Sequence, residues 1–300
     1  MDMTQNKCCR HGASLRRRRR RRRKMLRFII FSYSIIAVAV FVAVGSRMIR
    51  SGDGRTNRYD VEAGNNTYDN AVIENSKISE NNKIQNEQSV LDDIMNSTQY
   101  PKQLQELALK NEEALEFVYD YPAEHVKEHT IDLTEEASMD SVPLFVQWDK
   151  RWGYEKYSGN FFAASGCGPT TLSMVVVYLT HNRDASPIAV AKYSKEAGYS
   201  VDGSGSSWTL ISEGCRHYGV KAKTVALDES RMKAELDAGH PIVVNVGPGD
   251  FTDTGHFMVI TGYDDEGFSI NDPNSIEKSG KRWLFKNISS QIRAVWSMYV

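Results

Sequence analysis

The stretch Ser165-Gly166-Cys167-Gly168-Pro169-Thr170-Thr171 runs on into Leu172-Ser173-Met174-Val175-Val176-Val177-Tyr178-Leu179, and so sets a lone thiol between two glycines where an apolar, helix-length run begins. Pro169 suits the first turn of such a helix, because the N–H it lacks has no acceptor there in any case. Cys167 then lies where free N–H groups and the positive end of the helix dipole favour thiolate, the reactive form, over thiol. The flanking glycines allow a tight turn and let another backbone approach the sulfur. A small cysteine buried beside a turn carries the same local signature, so the reading depends on the rest of the chain.

Downstream of this helix, Ser186-Pro187 reads as a capping residue followed by a first-turn proline, opening a second helix that ends near Gly198. Residues 208–217 suggest a third helix, and 229–238 a fourth stopped by Gly239. Short β-branched or aromatic runs bounded by Gly, Pro or Asp predict strands over 221–226, 241–246, 256–263 and 268–271. Helices first and strands later indicate an α+β domain over 142–300, large enough for its own core.

A cysteine nucleophile needs a base within hydrogen-bond reach and a third group to orient that base. His256 opens one predicted strand and Asp272 ends the next. If the two strands pair as a hairpin across residues 263–267, the start of one lies opposite the end of the other, which permits an imidazole–carboxylate contact. Taken singly, His256 also reads as an edge histidine and Asp272 as a turn-starting residue before Pro273.

Five blocks in order extend this pattern: Val142-Pro143-Leu144-Phe145-Val146-Gln147-Trp148-Asp149-Lys150-Arg151-Trp152, Gly166-Cys167-Gly168-Pro169-Thr170, Gly239-His240-Pro241-Ile242-Val243-Val244, Gly255-His256-Phe257-Met258-Val259-Ile260-Thr261-Gly262 and Asn271-Asp272-Pro273. Together they resemble the papain-fold cysteine peptidases related to the peptidase domains of bacteriocin exporters, which cut leaders after a double glycine. The resemblance covers about 142–300. It implies a papain-like fold with helices packed on an antiparallel sheet, Cys167 as nucleophile, His256 as general base and acid, and Asp272 as its orienter. Enzymes of this type take an oxyanion donor from a glutamine a few residues before the cysteine, but the position six before Cys167 is Phe161. Gln147 is the nearby candidate, either as that donor or as a polar strand residue.

Other candidates have plainer readings. Cys215 and His217, two apart, do not share a helix face, and Cys215 reads as core; His240 reads as a surface residue in a turn. Trp148, Trp152 and Trp208 are candidates either for a substrate groove or for core packing. Gly203-Ser204-Gly205 lacks the Lys-Ser/Thr of a phosphate loop and reads as a flexible lip beside the site. No His/Cys/Asp cluster has metal spacing, and no cofactor is expected.

Upstream, residues 28–46 contain no charge and are long enough to cross about 30 Å of hydrocarbon as a helix. Eight arginines, residues 16–23, precede this run with Lys24 and Arg27, and the positive-inside rule then predicts a cytoplasmic N-terminus and an outer catalytic domain. A nucleic-acid arm, or the charged region of a cleaved signal peptide, is the alternative for the arginines. Of 37 Lys and Arg and 38 Asp and Glu, residues 1–58 hold sixteen and two, leaving 21 basic against 36 acidic, a balance of −15 outside. Such a surface is a poor nucleic-acid partner. The expected plan is a basic cytoplasmic tail (1–27), a single membrane-spanning helix (28–46), a flexible stalk (47–99), a short helical segment (100–141) and the peptidase domain (142–300). The expected function is a membrane-anchored extracytoplasmic cysteine peptidase acting on a peptide or protein; a peptidoglycan cross-bridge amidase and a non-catalytic binding module on the same fold are the alternatives.

Overall fold

A computed structural model describes residues 85–300. The expected tail, membrane span and stalk up to residue 84 lie outside the described residues. Among the described residues no helix is long and apolar enough to cross a membrane.

The first described element corrects the stalk. Helix α1 covers 85–96, where a flexible linker is expected. The polar average of the region hides three apolar residues on one face: Ile94 is fully buried, with Val90 and Leu91 packed beside it. Gln105 donates through Nε2 to the carbonyls of Ile94 (3.0 Å) and Ser97 (3.3 Å), meeting acceptors that a helix end leaves open. Helices α2 (Lys102–Lys110) and α3 (Leu115–Tyr119) follow. Leu104, Leu107 and Ala108 fall on one face at the three- and four-residue spacing of an α-helix. These residues join Phe117 and Val118 in a cluster that also holds Phe161 and Ala163 of the domain behind. Phe117 stacks on Tyr154 at 4.2 Å, and the Tyr154 hydroxyl donates to the Phe117 carbonyl at 2.8 Å.

Helix α4 (Cys167–Thr180) is the central helix, and Gly168 to Val177 are all buried. It ends where His181 takes a left-handed conformation, φ 55°. Helix α5 (Pro187–Glu196) starts with the Ser186 side chain accepting the Ala189 N–H. The expected helix over 208–217 is broken into a turn, Thr209–Ser212, and a 3-10 segment, Gly214–Tyr218. The break falls at Glu213, φ −127°, and at Gly214 beside it a Cβ would come within 3.0 Å of the Tyr199 ring. Helix α6 (Glu229–Asp237) is capped by Asp228, which accepts the Arg231 N–H.

Six strands form one antiparallel sheet: β1 (Lys221–Thr224), β2 (Ile242–Val246), β3 (His256–Asp264), β4 (Gly267–Asn271), β5 (Arg282–Trp283) and β6 (Ile292–Tyr299), in the order β1-β6-β2-β3-β4-β5. The β3–β4 hairpin pairs Asp264 with Gly267. One face of the sheet packs Val243, Phe257, Val259 and Trp296 against α4; the other packs Ile242, Val244, Met258 and Ile260 with Met232 of α6. With both faces covered, β2 reads Ile-Val-Val-Asn-Val, without polar alternation. Strands β5 and β6 are absent from the sequence reading, although β6 is an inner strand of the sheet, between β1 and β2. Two small hairpins, Lys156–Tyr157 with Asn160–Phe161 and Ser200–Val201 with Gly205–Ser206, complete the domain.

Candidate active site

Cys167 is the first residue of α4, His256 the first of β3, and Asp272 follows the last residue of β4. The folded chain brings these three together from positions up to 105 apart in sequence. The His256 Nε2 lies 2.6 Å from Asp272 Oδ1, and both side chains are buried. His256 also hydrogen-bonds Cys167; with Nε2 held by the carboxylate, Nδ1 is the nitrogen that faces the sulfur. Burial alone lowers the basicity of the imidazole, but the charge of Asp272, its hydrogen bond and the contact with Cys167 lift it to about 10. Burial likewise raises the Cys167 thiol, but the hydrogen bond and charge of His256, with the N–H groups of Phe257 and Gly168, hold it below its ordinary value. The arrangement favours a thiolate–imidazolium pair.

The glycines around Cys167 are required by packing rather than by unusual backbone angles. Gly166 has φ −84°, within reach of any residue. A Cβ there would lie 2.6 Å from the Phe162 ring, and one at Gly168 would lie 2.5 Å from Ser206 Oγ. Ser206 is itself held by the Tyr157 hydroxyl at 2.6 Å, and Tyr157 also bonds Ser194 at 2.8 Å.

Cys167 opens onto a groove of about 640 Å³. Gly203, Ser204 and Gly205, at the turn of the second small hairpin, line it together with Gly247, Pro248 and Gly255. Trp208, 47% exposed, lies in the groove, and Arg293 is the single charged residue of its lining. The other two tryptophans do not reach it. Trp152 is core, edge-on to Phe145, and Trp148 packs on the α1–α3 cluster.

Gln147 is buried, and its Nε2 donates to the Ala163 carbonyl at 2.7 Å, in the turn Phe162–Ser165 that leads into Cys167. Its Oε1 is buried without a partner, and the residue does not line the groove. Cys215 is a free, fully buried thiol, pushed up to about 11 chiefly by burial, and Cys167 is free as well. His240 is half-buried, with Nδ1 3.1 Å from Glu235 Oε2.

Several supporting residues escape the sequence reading. Asn245, a buried polar residue in the apolar strand β2, donates through Nδ2 to the His256 carbonyl at 3.2 Å; its polarity within that strand was the available signal. The Asp272 turn is held by Ser279 Oγ, which accepts the Asp272 N–H at 2.9 Å, and by the Gln147 N–H, donated to the Pro273 carbonyl at 2.7 Å. The remaining Asp272 oxygen, Oδ2, is buried without a partner.

No curated protein matches the chain significantly. Two solved structures are similar in part. One is the peptidase domain of Streptococcus ComA, a bi-functional ABC transporter involved in a quorum-sensing pathway, at 19% identity and TM-score 0.38 over 53% of this chain and 96% of that one. The other is a C39-like peptidase from Bacillus anthracis, at 16% identity and TM-score 0.34 over 53% of this chain and 95% of that one. The profile of the Peptidase_C39 like family matches residues 139–300, which hold the three residues of the site. The match spans more than half of the chain, and this protein belongs to the Peptidase_C39 like family.

Proposed function

We propose that this protein is a membrane-anchored cysteine peptidase, with its N-terminus in the cytoplasm and its peptidase domain outside, acting on a peptide or protein through a papain-like mechanism. The observation that carries the reading is the buried His256–Asp272 contact beside a Cys167 thiol whose proton is destabilised. The thiolate attacks the scissile carbonyl carbon and the carbonyl oxygen takes the negative charge. As the C–N bond breaks, His256 Nδ1 gives its proton to the leaving amine, and the acyl group remains as a thioester on Sγ. Water then attacks the thioester, His256 takes a proton from it, the acid leaves and the thiolate–imidazolium pair is restored. Asp272 keeps Nε2 protonated, so that Nδ1 is the nitrogen that works.

The oxyanion falls to the N–H groups at the start of α4, which have no intrahelical acceptor. Gln147, with one Nε2 hydrogen on Ala163, has a second to offer. The glycine-edged groove suits an extended backbone, and the anchored topology rests on the uncharged run over 28–46 and the arginines before it. The test is hydrolysis of a peptide library by the purified protein. Cys167→Ala should abolish turnover and acyl-enzyme labelling, and Gln147→Ala should lower turnover on the order of 10²–10³-fold; turnover retained by Cys167→Ala would refute the reading.

A further inference from the structure

The turn that carries Asp272 is gripped from outside the family match. In the segment before residue 139, Asn111 donates through Nδ2 to the Asn274 carbonyl at 2.9 Å and to Asn274 Oδ1 at 3.2 Å. Asn274 in turn donates its N–H to Asp272 Oδ1 at 2.8 Å, the oxygen that His256 uses. Two residues on, Glu113 spends its carboxylate on the same turn. Its Oε1 accepts the Ser275 hydroxyl, and its Oε2 accepts the N–H groups of Ile276 (2.7 Å) and Glu277 (3.1 Å). Ser275 bridges back to Asp272 through its N–H on the Asp272 carbonyl, at 3.2 Å.

Both residues are themselves fixed. Asn111 Oδ1 accepts the Glu113 N–H at 3.1 Å, so the two side chains are set by one backbone turn between α2 and α3. That turn is seated by Leu104, Leu107, Phe117 and Val118, buried against Phe161 and Ala163. The path from the upstream segment to the sulfur is continuous: Asn111 to Asn274, Asn274 to Asp272, Asp272 to His256, His256 to Cys167. From the family domain, the Gln147 N–H holds the Pro273 carbonyl at 2.7 Å and the Trp148 indole N–H reaches the Asn274 carbonyl at 3.3 Å.

We propose that the segment over 102–124 is an intramolecular activator of the site, and that Asn111 and Glu113 are positioning residues which hold the Asp272–Ser275 turn and, through it, the orientation of His256. The peptidase domain is then complete only while this upstream segment is docked. Its release, by a cut or by a partner that takes its apolar face, switches the thiol to its unassisted state. The inference rests on the cysteine peptidase reading of the site, but its test needs no substrate.

The experiment is the rate at which iodoacetamide alkylates Cys167 in the full chain between pH 5 and pH 10.5, followed by mass spectrometry of the Cys167 peptide so that Cys8, Cys9 and Cys215 are scored separately. Wild type is expected to react fast at pH 6. Glu113→Ala should slow that reaction by about tenfold and match wild type near pH 10, where any thiolate reacts. Glu113→Gln, which keeps one acceptor oxygen, should fall between, and it carries the test if the alanine variant does not fold. Unfolding acts in the opposite sense, exposing Cys215 to the reagent. A folded Glu113→Ala or Glu113→Gln variant with the wild-type profile overturns the activator. An ordinary thiol profile in wild type overturns the ion pair, and the activator with it.

Discussion

In the proposed mechanism Cys167 and His256 share a proton whose position is set by Asp272, and the pH dependence follows from that sharing. The thiol is held below its ordinary value and the imidazole is raised from 6.5 to about 10, so the charged pair spans the neutral range. As pH falls through the lowered thiol value, Cys167 is protonated, and both alkylation and turnover should drop together. As pH rises through about 10, His256 loses the proton that the leaving amine needs; turnover should fall while alkylation, which needs only thiolate, continues. Asp272→Ala removes the principal support of the raised imidazole and should move the alkaline limb of turnover down towards the ordinary histidine range. Coincident alkylation and turnover curves at high pH would contradict this assignment. The places of all three residues in the fold were legible in the sequence, because each stands at the end of an element whose apolar run defines it. Gln147 was legible as a position but not as a contact: the Ala163 carbonyl that it meets is sixteen residues away.

At the scale of elements, the start of α4 depends on close packing that a residue pattern only half reveals. The glycine on either side of Cys167 suggests backbone freedom, yet the constraint is the space taken by Phe162 and Ser206. Gly168→Ala places a methyl 2.5 Å from Ser206 Oγ, and overpacking of this kind costs about 1–3 kcal/mol. We expect Gly168→Ala to lower thermal stability and slow Cys167 alkylation, and Ser206→Gly in the same chain to restore part of both. Restoration by Ser206→Gly is what separates this account from one in which residue 168 simply faces the substrate. The strands over 221–224, 242–246, 256–264 and 267–271 were readable because β-branched runs end at Gly, Pro or Asp. Strand β6 was not: Val295–Met298 is buried without a break, so the strand shows no alternation there, and its partners lie 46 to 78 residues earlier.

Across the whole molecule, the family domain and the helices before it share a core. Ile94, Leu104, Phe117 and Phe161 are buried together, so a chain cut back to 139–300 leaves Phe161 and Ala163 facing water. Removing single side chains of this size from a core costs about 2–5 kcal/mol, and losing the whole patch should lower the melting temperature by more than about 5 °C. Equal melting temperatures for 85–300 and 139–300 would show that the helices merely rest on the domain. The helical segment was foreseeable from its apolar spacing, whereas its grip on the Asp272 turn was not, since Glu113 looks like one more acid in a charged run and its partners lie 162 to 164 residues later.

The placement of β6 has a consequence for how the protein comes into being. The last of the six strands in chain order is the one that joins β1 to β2, and β2 carries the Asn245 that steadies the His256 backbone. Until Ile292–Tyr299 is in place β1 has no partner and β2 is an open edge, so a chain already carrying Cys167, His256 and Asp272 still lacks part of the core beside them. The setting of Cys167 thereby depends on a strand that begins 125 residues after it, whose Trp296 and Met298 belong to the core against which Cys167 packs.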